Sequence, residues 1–113
     1  MKPSEIARII DAAVVCNSDK TIEIERAFSS DLMSDVLKLE TDNTLLITGL
    51  ANVQAVRTAE MSDISCIIFA RNKKVTDDMI RLAIENEMVL LQTPCSVYRT
   101  SGELYKAGLT PVF

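Results

Sequence analysis

Short continuous apolar runs alternate with amphipathic segments along most of the 113-residue chain. Leu45-Leu46-Ile47, residues 66–70 and residues 88–91 lack polar alternation, which is typical of short strands that are buried on both faces. Between these runs, apolar residues recur every three or four positions, for example after the helix cap Asn52. This alternation predicts a parallel sheet that is covered by helices on both sides.

The first half of the chain adds two strands to this pattern. Val14-Val15-Cys16 predicts a short buried strand, and Ile22-Glu23-Ile24-Glu25 alternates with the period of a strand that has one exposed face. Together the runs predict a single three-layer α/β domain over residues 1–113, with a mixed, mainly parallel five-stranded sheet flanked by helices. Five helices are expected, starting at Ser4, Asp31, Asn52, Thr76 and Ser96, and the last of them should end at Gly108.

The loops that follow the strands contain the candidate ligand-binding residues. Right-handed crossovers bring these loops to one edge of a parallel sheet, where open α/β folds bind ligands. The loop after residues 45–47 contains one glycine and no lysine, so it matches neither a dinucleotide fingerprint nor a Walker loop. It is either a tight turn with an Asn cap or a place where backbone N–H groups hold an anion. The candidate ligand-binding residues at this edge are Ser30, Asp31, Gly49, Asn52, Arg71 and Thr93.

Composition excludes several classes of function. Twelve Lys and Arg against sixteen Asp and Glu give a net charge of −4, which does not favour nucleic-acid binding. The sequence has no His, so the commonest general base and metal ligand are lacking. Its three cysteines are widely spaced and match neither a disulfide framework nor a zinc site. We therefore expect no cofactor, no metal and no catalytic residues.

The apolar runs also bear on location. Residues 1–5 lead into an amphipathic stretch rather than an apolar leader, and no run approaches the roughly 18 residues of a membrane span. These features predict a cytoplasmic protein with reduced thiols that does not bind membranes.

Two polar clusters at the predicted edge each allow two interpretations. Arg71-Asn72-Lys73-Lys74 either attracts a phosphorylated ligand or an acidic partner, or is an ordinary charged loop tip. Asp31 and Asp35 are four residues apart, which predicts one helix face. Their carboxylates could bind a hard cation or share acid and base roles, with Ser30 as a nucleophile, or could simply cap a helix and contact solvent.

The last predicted helix raises two further alternatives. Tyr98 and Tyr105 share one face of it, with Gly102 between them, which suits either a subunit contact or packing on the sheet. Cys95 lies close to the start of the helix, where a thiol pKa can be lowered, but it equally suits a small buried side chain.

Four segments resemble the DRTGG domain family. They are residues 30–37 (SDLMSDVL), 46–50 (LITGL), 56–61 (VRTAEM) and 91–109. The family occurs beside CBS domains in pyrophosphatases, in phosphotransacetylases, in a form related to the N-terminal domain of HPr kinase, and as short stand-alone bacterial proteins, which this chain resembles most. The resemblance covers nearly the full length and implies a regulatory or oligomerising α/β module, often dimeric and without an established catalytic activity.

The chain departs from the family pattern at two places. Gly49 matches the glycine that closes the central strand, but Leu50-Ala51 stands where an Asp-Arg pair is expected. Ala70-Arg71 stands where the family has two glycines after the following strand.

Taken together, these observations predict a non-catalytic regulatory or interaction module. We expect a homodimer that binds a small anionic metabolite or a nucleotide at the loop edge, and a kinase or metabolic enzyme is the kind of protein partner that would suit it. One alternative is a metal-dependent enzyme for phosphoryl chemistry that uses Asp31, Asp35 and Ser30. The other is a purely structural dimerisation domain.

Overall fold

The computed structural model describes residues 1–39 and 42–113, which form a six-stranded sheet between two layers of helices. The three-layer α/β architecture predicted from the sequence is therefore confirmed. In chain order the elements are α1 (Pro3–Ile9), β1 (Ala13–Cys16), β2 (Arg26–Ser29), α2 (Met33–Val36), β3 (Thr44–Thr48), α3 (Val53–Met61), β4 (Cys66–Phe69), α4 (Asp77–Glu85), β5 (Val89–Gln92), α5 (Val97–Lys106) and β6 (Thr110–Pro111).

The strand order is β1-β5-β4-β3-β2-β6. β1 is antiparallel to β5, and the other neighbouring strands run parallel. The carboxyl ends of β2, β3, β4 and β5 consequently lie together on one side of the sheet. We call the loops after these four strands the carboxyl edge, and the loops that enter β3 and β4 the amino edge.

Two apolar clusters fill the space on either side of the sheet. Successive residues of a strand point to opposite faces, so Leu46 and Ile67 pack with α2, α3 and α4, whereas Leu45 and Ile68 pack with α1 and α5. The three central parallel strands β3, β4 and β5 are almost entirely buried, which explains their unbroken apolar sequences. Within the described residues, every helix is too short or too polar to cross a lipid bilayer.

The predicted strand at residues 22–25 is wrong. Ile24 and Met1 instead exchange two hydrogen bonds, from the Ile24 N–H to the Met1 carbonyl and from the Met1 amine to the Ile24 carbonyl, each 2.7 Å long. Ile24 is buried against α1, so its alternation with charged residues reports a half-buried segment rather than a strand. The sheet strand begins only at Arg26. The sheet also contains six strands rather than five, because the two-residue β6 is too short to show a periodicity.

Two of the predicted helix starts need correction. α1 begins at Pro3, with Lys2 as its N-cap, so Ser4 lies within the first turn and does not cap it. α2 begins at Met33 instead of Asp31 and ends at Val36. Leu32 and Leu37, on either side of this short helix, are exposed.

The caps of the later helices are confirmed. The side chains of Asn52, Thr76 and Ser96 each accept a hydrogen bond from the backbone N–H three residues further on. Gly108 follows the end of α5 with a φ of +110°, the conformation in which glycine commonly ends a helix.

Candidate functional site

Asp31 joins the carboxyl ends of β2 and β3. Its Oδ1 accepts a hydrogen bond from the Thr48 hydroxyl at 2.9 Å and another from the Gly49 N–H at 2.7 Å. The Thr48 hydroxyl also accepts from the Leu50 N–H at 3.1 Å. The carboxylate is thus held in one orientation, and within the described part of the chain no donor contacts its Oδ2. Because Asp31 is exposed, a bound molecule could reach this oxygen.

Gly49 allows the close approach of this carboxylate. A Cβ atom at position 49 would lie 3.4 Å from Asp31 Oδ2 and 3.8 Å from Val97 Cγ2. The first residue of α5 therefore lies beside the same loop. A larger side chain at this position would fill the space next to the carboxylate oxygen that has no donor.

Arg71 occupies a strained position at the end of β4. Arg71 and Asn72 have φ values of +58° and +55°, and the Lys73 N–H donates to the Ala70 carbonyl at 3.3 Å. Positive φ at both central residues, with this bond, defines a type I′ turn, in which glycine and asparagine are favoured. Glycine would suit position 71, and the arginine found there carries the energetic cost of a left-handed backbone.

The same turn is attached to the end of β5. The Arg71 N–H donates to the Cys95 carbonyl at 2.8 Å, and the Asn72 N–H donates to the Thr93 carbonyl at 2.9 Å. These backbone bonds fix the turn, whereas the Arg71 side chain is exposed, as are Lys73 and Lys74. The carboxyl edge therefore carries three exposed basic side chains on a turn whose backbone is fixed.

Thr93 and Asn52 use their side chains within the fold. The buried Thr93 hydroxyl donates to the Ile10 carbonyl at 2.6 Å and accepts from the Cys95 N–H at 3.2 Å. Asn52 Oδ1 accepts from the Ala55 N–H at 2.9 Å as the cap of α3. We therefore leave both side chains out of the proposed ligand contacts.

The arrangement around Ser30 does not favour the metal-dependent alternative. Because α2 begins at Met33, Asp31 precedes it, and the prediction that Asp31 and Asp35 share a helix face is wrong. Ser30 Oγ accepts from the Leu32 N–H at 3.0 Å and thereby fixes the turn into α2. Among residues 1–39 and 42–113, no group of three or more metal-ligating side chains comes together.

The predicted residues thus form two groups on one edge. Ser30, Asp31 and Gly49 lie at the ends of β2 and β3, whereas Arg71 and Thr93 lie at the ends of β4 and β5. Since neighbouring strands are about 4.8 Å apart, the ends of β2 and β4 are separated by roughly 10 Å. The distance between the fixed Asp31 carboxylate and the basic Arg71 side chain therefore suits a nucleoside phosphate that contacts both.

Two contributors to the edge were missed from the sequence. Thr48 orients Asp31, and Val97 brings α5 against Gly49. A threonine that ends an otherwise apolar strand is a recognisable signal for the first contact. The second depends on how α5 crosses the sheet, which no local pattern reports.

A depression of about 280 Å³ lies at the opposite, amino edge. Its lining combines apolar side chains with the carboxylates of Asp42 and Asp63, and both helices that end nearby, α3 and α4, direct their negative dipole ends towards this edge. The lining residues are Ile22, Ile24, Asp42, Asn43, Thr44, Asp63 and Ser65. This acidic surface differs in charge from the carboxyl edge and is not suited to an anionic ligand.

Comparison with known families and structures identifies the fold. The family model of the DRTGG domain matches residues 5–107. The chain belongs to the DRTGG domain family. Among curated proteins the sequence has no match.

A solved structure supports the same DRTGG fold. It comprises the CBS and DRTGG domains of the regulatory region of Clostridium perfringens pyrophosphatase, in complex with its activator diadenosine tetraphosphate. The match has a TM-score of 0.79 at 14% sequence identity, and it covers 98% of this chain and 48% of that one. This DRTGG chain therefore spans about half the length of its structural neighbour, and the likeness concerns the fold.

Proposed function

We propose that this DRTGG domain is a non-catalytic regulatory module that binds a nucleotide or a small phosphorylated metabolite at its carboxyl edge. In this proposal Arg71 contacts the anionic group and Asp31 Oδ2 accepts a hydrogen bond from a hydroxyl or amino group of the ligand. Ser30 and Gly49 shape the surface between them.

The observation that carries the proposal is the fixed carboxylate of Asp31. Two donors, the Thr48 hydroxyl and the Gly49 N–H, hold one of its oxygens and leave the other beside a glycine. An exposed carboxylate would repel a purely anionic ligand, so the molecule must also carry a hydrogen-bond donor. Nucleotides and sugar phosphates combine a donor group with a phosphate.

The arginine at position 71 supports the anionic part of this assignment. Its backbone conformation favours glycine, and a left-handed conformation costs other residues about 1 kcal/mol. Strained positions of this kind cluster at functional sites. The structural neighbour belongs to a regulatory region and was crystallised with a dinucleoside polyphosphate, which fits the same class of ligand.

Isothermal titration calorimetry tests the proposal. The wild-type domain is titrated with nucleoside mono-, di- and triphosphates, diadenosine tetraphosphate and sugar phosphates. We expect saturable binding of at least one of them, weakened at least about tenfold in Arg71→Gly and in Asp31→Ala, since charged hydrogen bonds contribute about 1.5–3 kcal/mol. Lys106→Ala, which removes an exposed charge at the far end of α5, away from this edge, is the matched control. If the folded wild type gives no binding heat with any of these compounds, ligand binding is excluded and only a role in protein–protein interaction remains.

The proposal includes a homodimer in the cytoplasm that passes its ligand state to a partner such as a kinase or a metabolic enzyme. Two observations favour self-association: Tyr98 and Tyr105 are 90% and 70% exposed, and both lie on one helix. Neither side chain is buried against the sheet, which supports the subunit contact of the two interpretations of their pattern. A purely structural dimer would associate in the same way, but none of the compounds in the calorimetric titrations would bind to it.

The enzymatic alternative has its own test. Metal-dependent turnover of a phosphorylated compound that is lost in Asp35→Asn would overturn the non-catalytic assignment. Asp35 is exposed near the end of the short α2 and does not contact the Asp31 carboxylate network, so we expect neither turnover nor any effect of this substitution.

A further inference from the structure

The Asp31 carboxylate has hydrogen-bonding capacity left on one oxygen only. A carboxylate oxygen accepts about two hydrogen bonds, one on each lone pair. The Thr48 hydroxyl at 2.9 Å and the Gly49 N–H at 2.7 Å already use both sites of Oδ1. Oδ2 accepts from no donor among the residues that the structure describes, 1–39 and 42–113, so both of its sites are open to a ligand.

Gly49 keeps one side of this oxygen uncovered. A Cβ atom at position 49 would lie 3.4 Å from Asp31 Oδ2 and 3.8 Å from Val97 Cγ2. The space beside Oδ2 is therefore open above the glycine and bordered by an apolar methyl group. A ligand group that combines polar hydrogens with a carbon skeleton fits this environment.

The two backbone N–H groups that follow β3 are both engaged inside the fold. The Gly49 N–H is bonded to Asp31, and the Leu50 N–H donates to the Thr48 hydroxyl at 3.1 Å. The charge of Asp31 also repels a phosphate from this position. The ends of β2 and β4 are roughly 10 Å apart, so the phosphate of a ligand lies towards Arg71 and an uncharged part of the ligand lies at Asp31.

A ribose diol has the donors that match one open oxygen. Its 2′- and 3′-hydroxyls are neighbours on the same face of the sugar ring, so both can direct hydrogens at a single acceptor that has two lone pairs. Guanine instead presents two parallel N–H groups to the two oxygens of a carboxylate, and Oδ1 of Asp31 is already occupied. The amino group of adenine or cytosine would fill only one of the two open sites.

We propose that Asp31 Oδ2 accepts hydrogen bonds from the 2′,3′-diol of a ribose phosphate, while Arg71 contacts the phosphate. This inference rests on the proposed function and specifies its ligand class as a ribonucleotide or a ribose phosphate. Carboxylates near strand ends hold ribose hydroxyls in other α/β folds, so the chemistry suits this edge. Asp31 then determines specificity for ribose over deoxyribose and does not read a guanine base.

Calorimetric titrations with matched sugars test the role of the diol. Nucleoside mono- and triphosphates are each used as the ribo, 2′-deoxy and 2′,3′-dideoxy compound, together with ribose 5-phosphate. We expect the wild type to bind a dideoxy compound at least about tenfold more weakly than its ribo counterpart, because hydrogen bonds to a charged acceptor are lost. Binding of ribose 5-phosphate as tight as that of the nucleotides identifies a sugar phosphate as the source of the diol, and weaker binding identifies a nucleotide.

Asp31→Asn separates recognition of the diol from a structural role of the carboxylate. The amide oxygen can replace Oδ1 towards Thr48 and Gly49, and the amide NH₂ then takes the place of Oδ2 and donates instead of accepting. We expect the ratio of the dideoxy to the ribo dissociation constant to fall from at least about ten to about one. Asp19→Asn makes the same exchange at an exposed residue after β1, on the amino-edge side, and should leave the ratio unchanged.

Gly49→Ala covers the open side of Oδ2 without a clash in the folded domain. The added carbon would lie at least 3.4 Å from its neighbours, and Gly49 is not among the residues with positive φ. We expect this variant to reduce the same ratio at least about threefold, because the methyl group limits access to the oxygen. Gly102→Ala, on the exposed side of α5 where a Cβ atom meets nothing within 4 Å, should have no effect on it.

Three results would overturn this assignment. If none of the compounds binds to the folded wild type, the proposed function fails together with this ligand class. If ribo and dideoxy compounds bind equally tightly, the phosphate site remains, but Asp31 does not recognise a diol. If guanine nucleotides alone bind, and Asp31→Asn weakens their ribo and dideoxy forms equally, Asp31 reads the base instead. Circular dichroism of each variant confirms that the domain is folded.

Discussion

Position 71 combines a left-handed backbone conformation with a long charged side chain. Its φ of +58° costs glycine little energy, whereas it is unfavourable for a residue that has a Cβ atom. The backbone of the turn is fixed by hydrogen bonds to the Thr93 and Cys95 carbonyls, so the arginine cannot relax without breaking them. In the proposed function, this energetic cost holds a guanidinium at the carboxyl edge.

A pair of substitutions separates this strain from the loss of charge. Arg71→Gly and Arg71→Ala both remove the guanidinium, but only glycine relieves the left-handed backbone. We expect Arg71→Gly to be about 1 kcal/mol more stable than Arg71→Ala in urea unfolding, and both to lose ligand affinity. Equal stabilities of the two variants would show that position 71 carries no strain.

At the scale of elements, one buried hydroxyl connects α1 to the loop between β5 and α5. Thr93 donates to the Ile10 carbonyl and accepts from the Cys95 N–H, and so satisfies backbone groups of both segments. Thr100, in α5, is equally buried, but its hydroxyl has no hydrogen-bond partner in the described structure. The two threonines thus have the same burial and opposite hydrogen-bonding states.

Replacement of each threonine by valine therefore has different expected results. Thr93→Val leaves the Cys95 N–H without a partner and the Ile10 carbonyl with only the weak Cys95 thiol donor at 3.4 Å. The substitution should cost about 1–3 kcal/mol of the unfolding free energy. Thr100→Val removes an unsatisfied polar group and should be neutral or stabilising. Denaturant unfolding of both variants checks this, and a larger loss in Thr100→Val than in Thr93→Val would contradict the assignment.

The sequence predicted elements well where burial alone determines them. The apolar runs of β3, β4 and β5 and the side-chain caps of α3, α4 and α5 needed no knowledge of tertiary contacts. Elements whose partners are distant in sequence were missed. Ile24 pairs with Met1 rather than with the sheet, and the two-residue β6 depends entirely on its pairing with β2.

The candidate site was predicted in position but only partly in detail. Parallel topology placed all six predicted residues at one edge. It could not show that Thr93 points inward, that Asp31 lies outside α2, or that Arg71 is strained, because side-chain direction and dihedral angles depend on tertiary packing.

At the scale of the whole molecule, an ion pair links the start of the chain to the segment before β2. The Met1 amine donates to Glu23 Oε1 at 2.6 Å, and this hydrogen bond with its charge lowers the pKa of the Glu23 carboxyl. A carboxyl whose pKa is lower in the folded state stabilises the fold fully above its unfolded pKa, about 4.3. That contribution is lost as the pH falls through the lower, folded value.

Glu23→Gln tests this contribution. We expect the variant to be less stable than the wild type at pH 7 and the difference to shrink towards zero as the pH falls below about 4. Glu85→Gln, at an exposed carboxyl on α4, should show no such pH-dependent difference. Urea midpoints measured between pH 3 and pH 7 give the comparison, and a difference that grows in acid would contradict it.

The ligand-binding claim is tested most directly by mapping where a ligand binds. The tightest-binding compound of the calorimetric panel is added to the ¹⁵N-labelled domain, and backbone amide shifts are recorded by NMR. We expect the largest changes at residues 30–31, 49–52 and 71–73 of the carboxyl edge. Changes confined to residues 42–44 and 63–65, around the acidic depression, would place the site at the opposite edge and contradict the account.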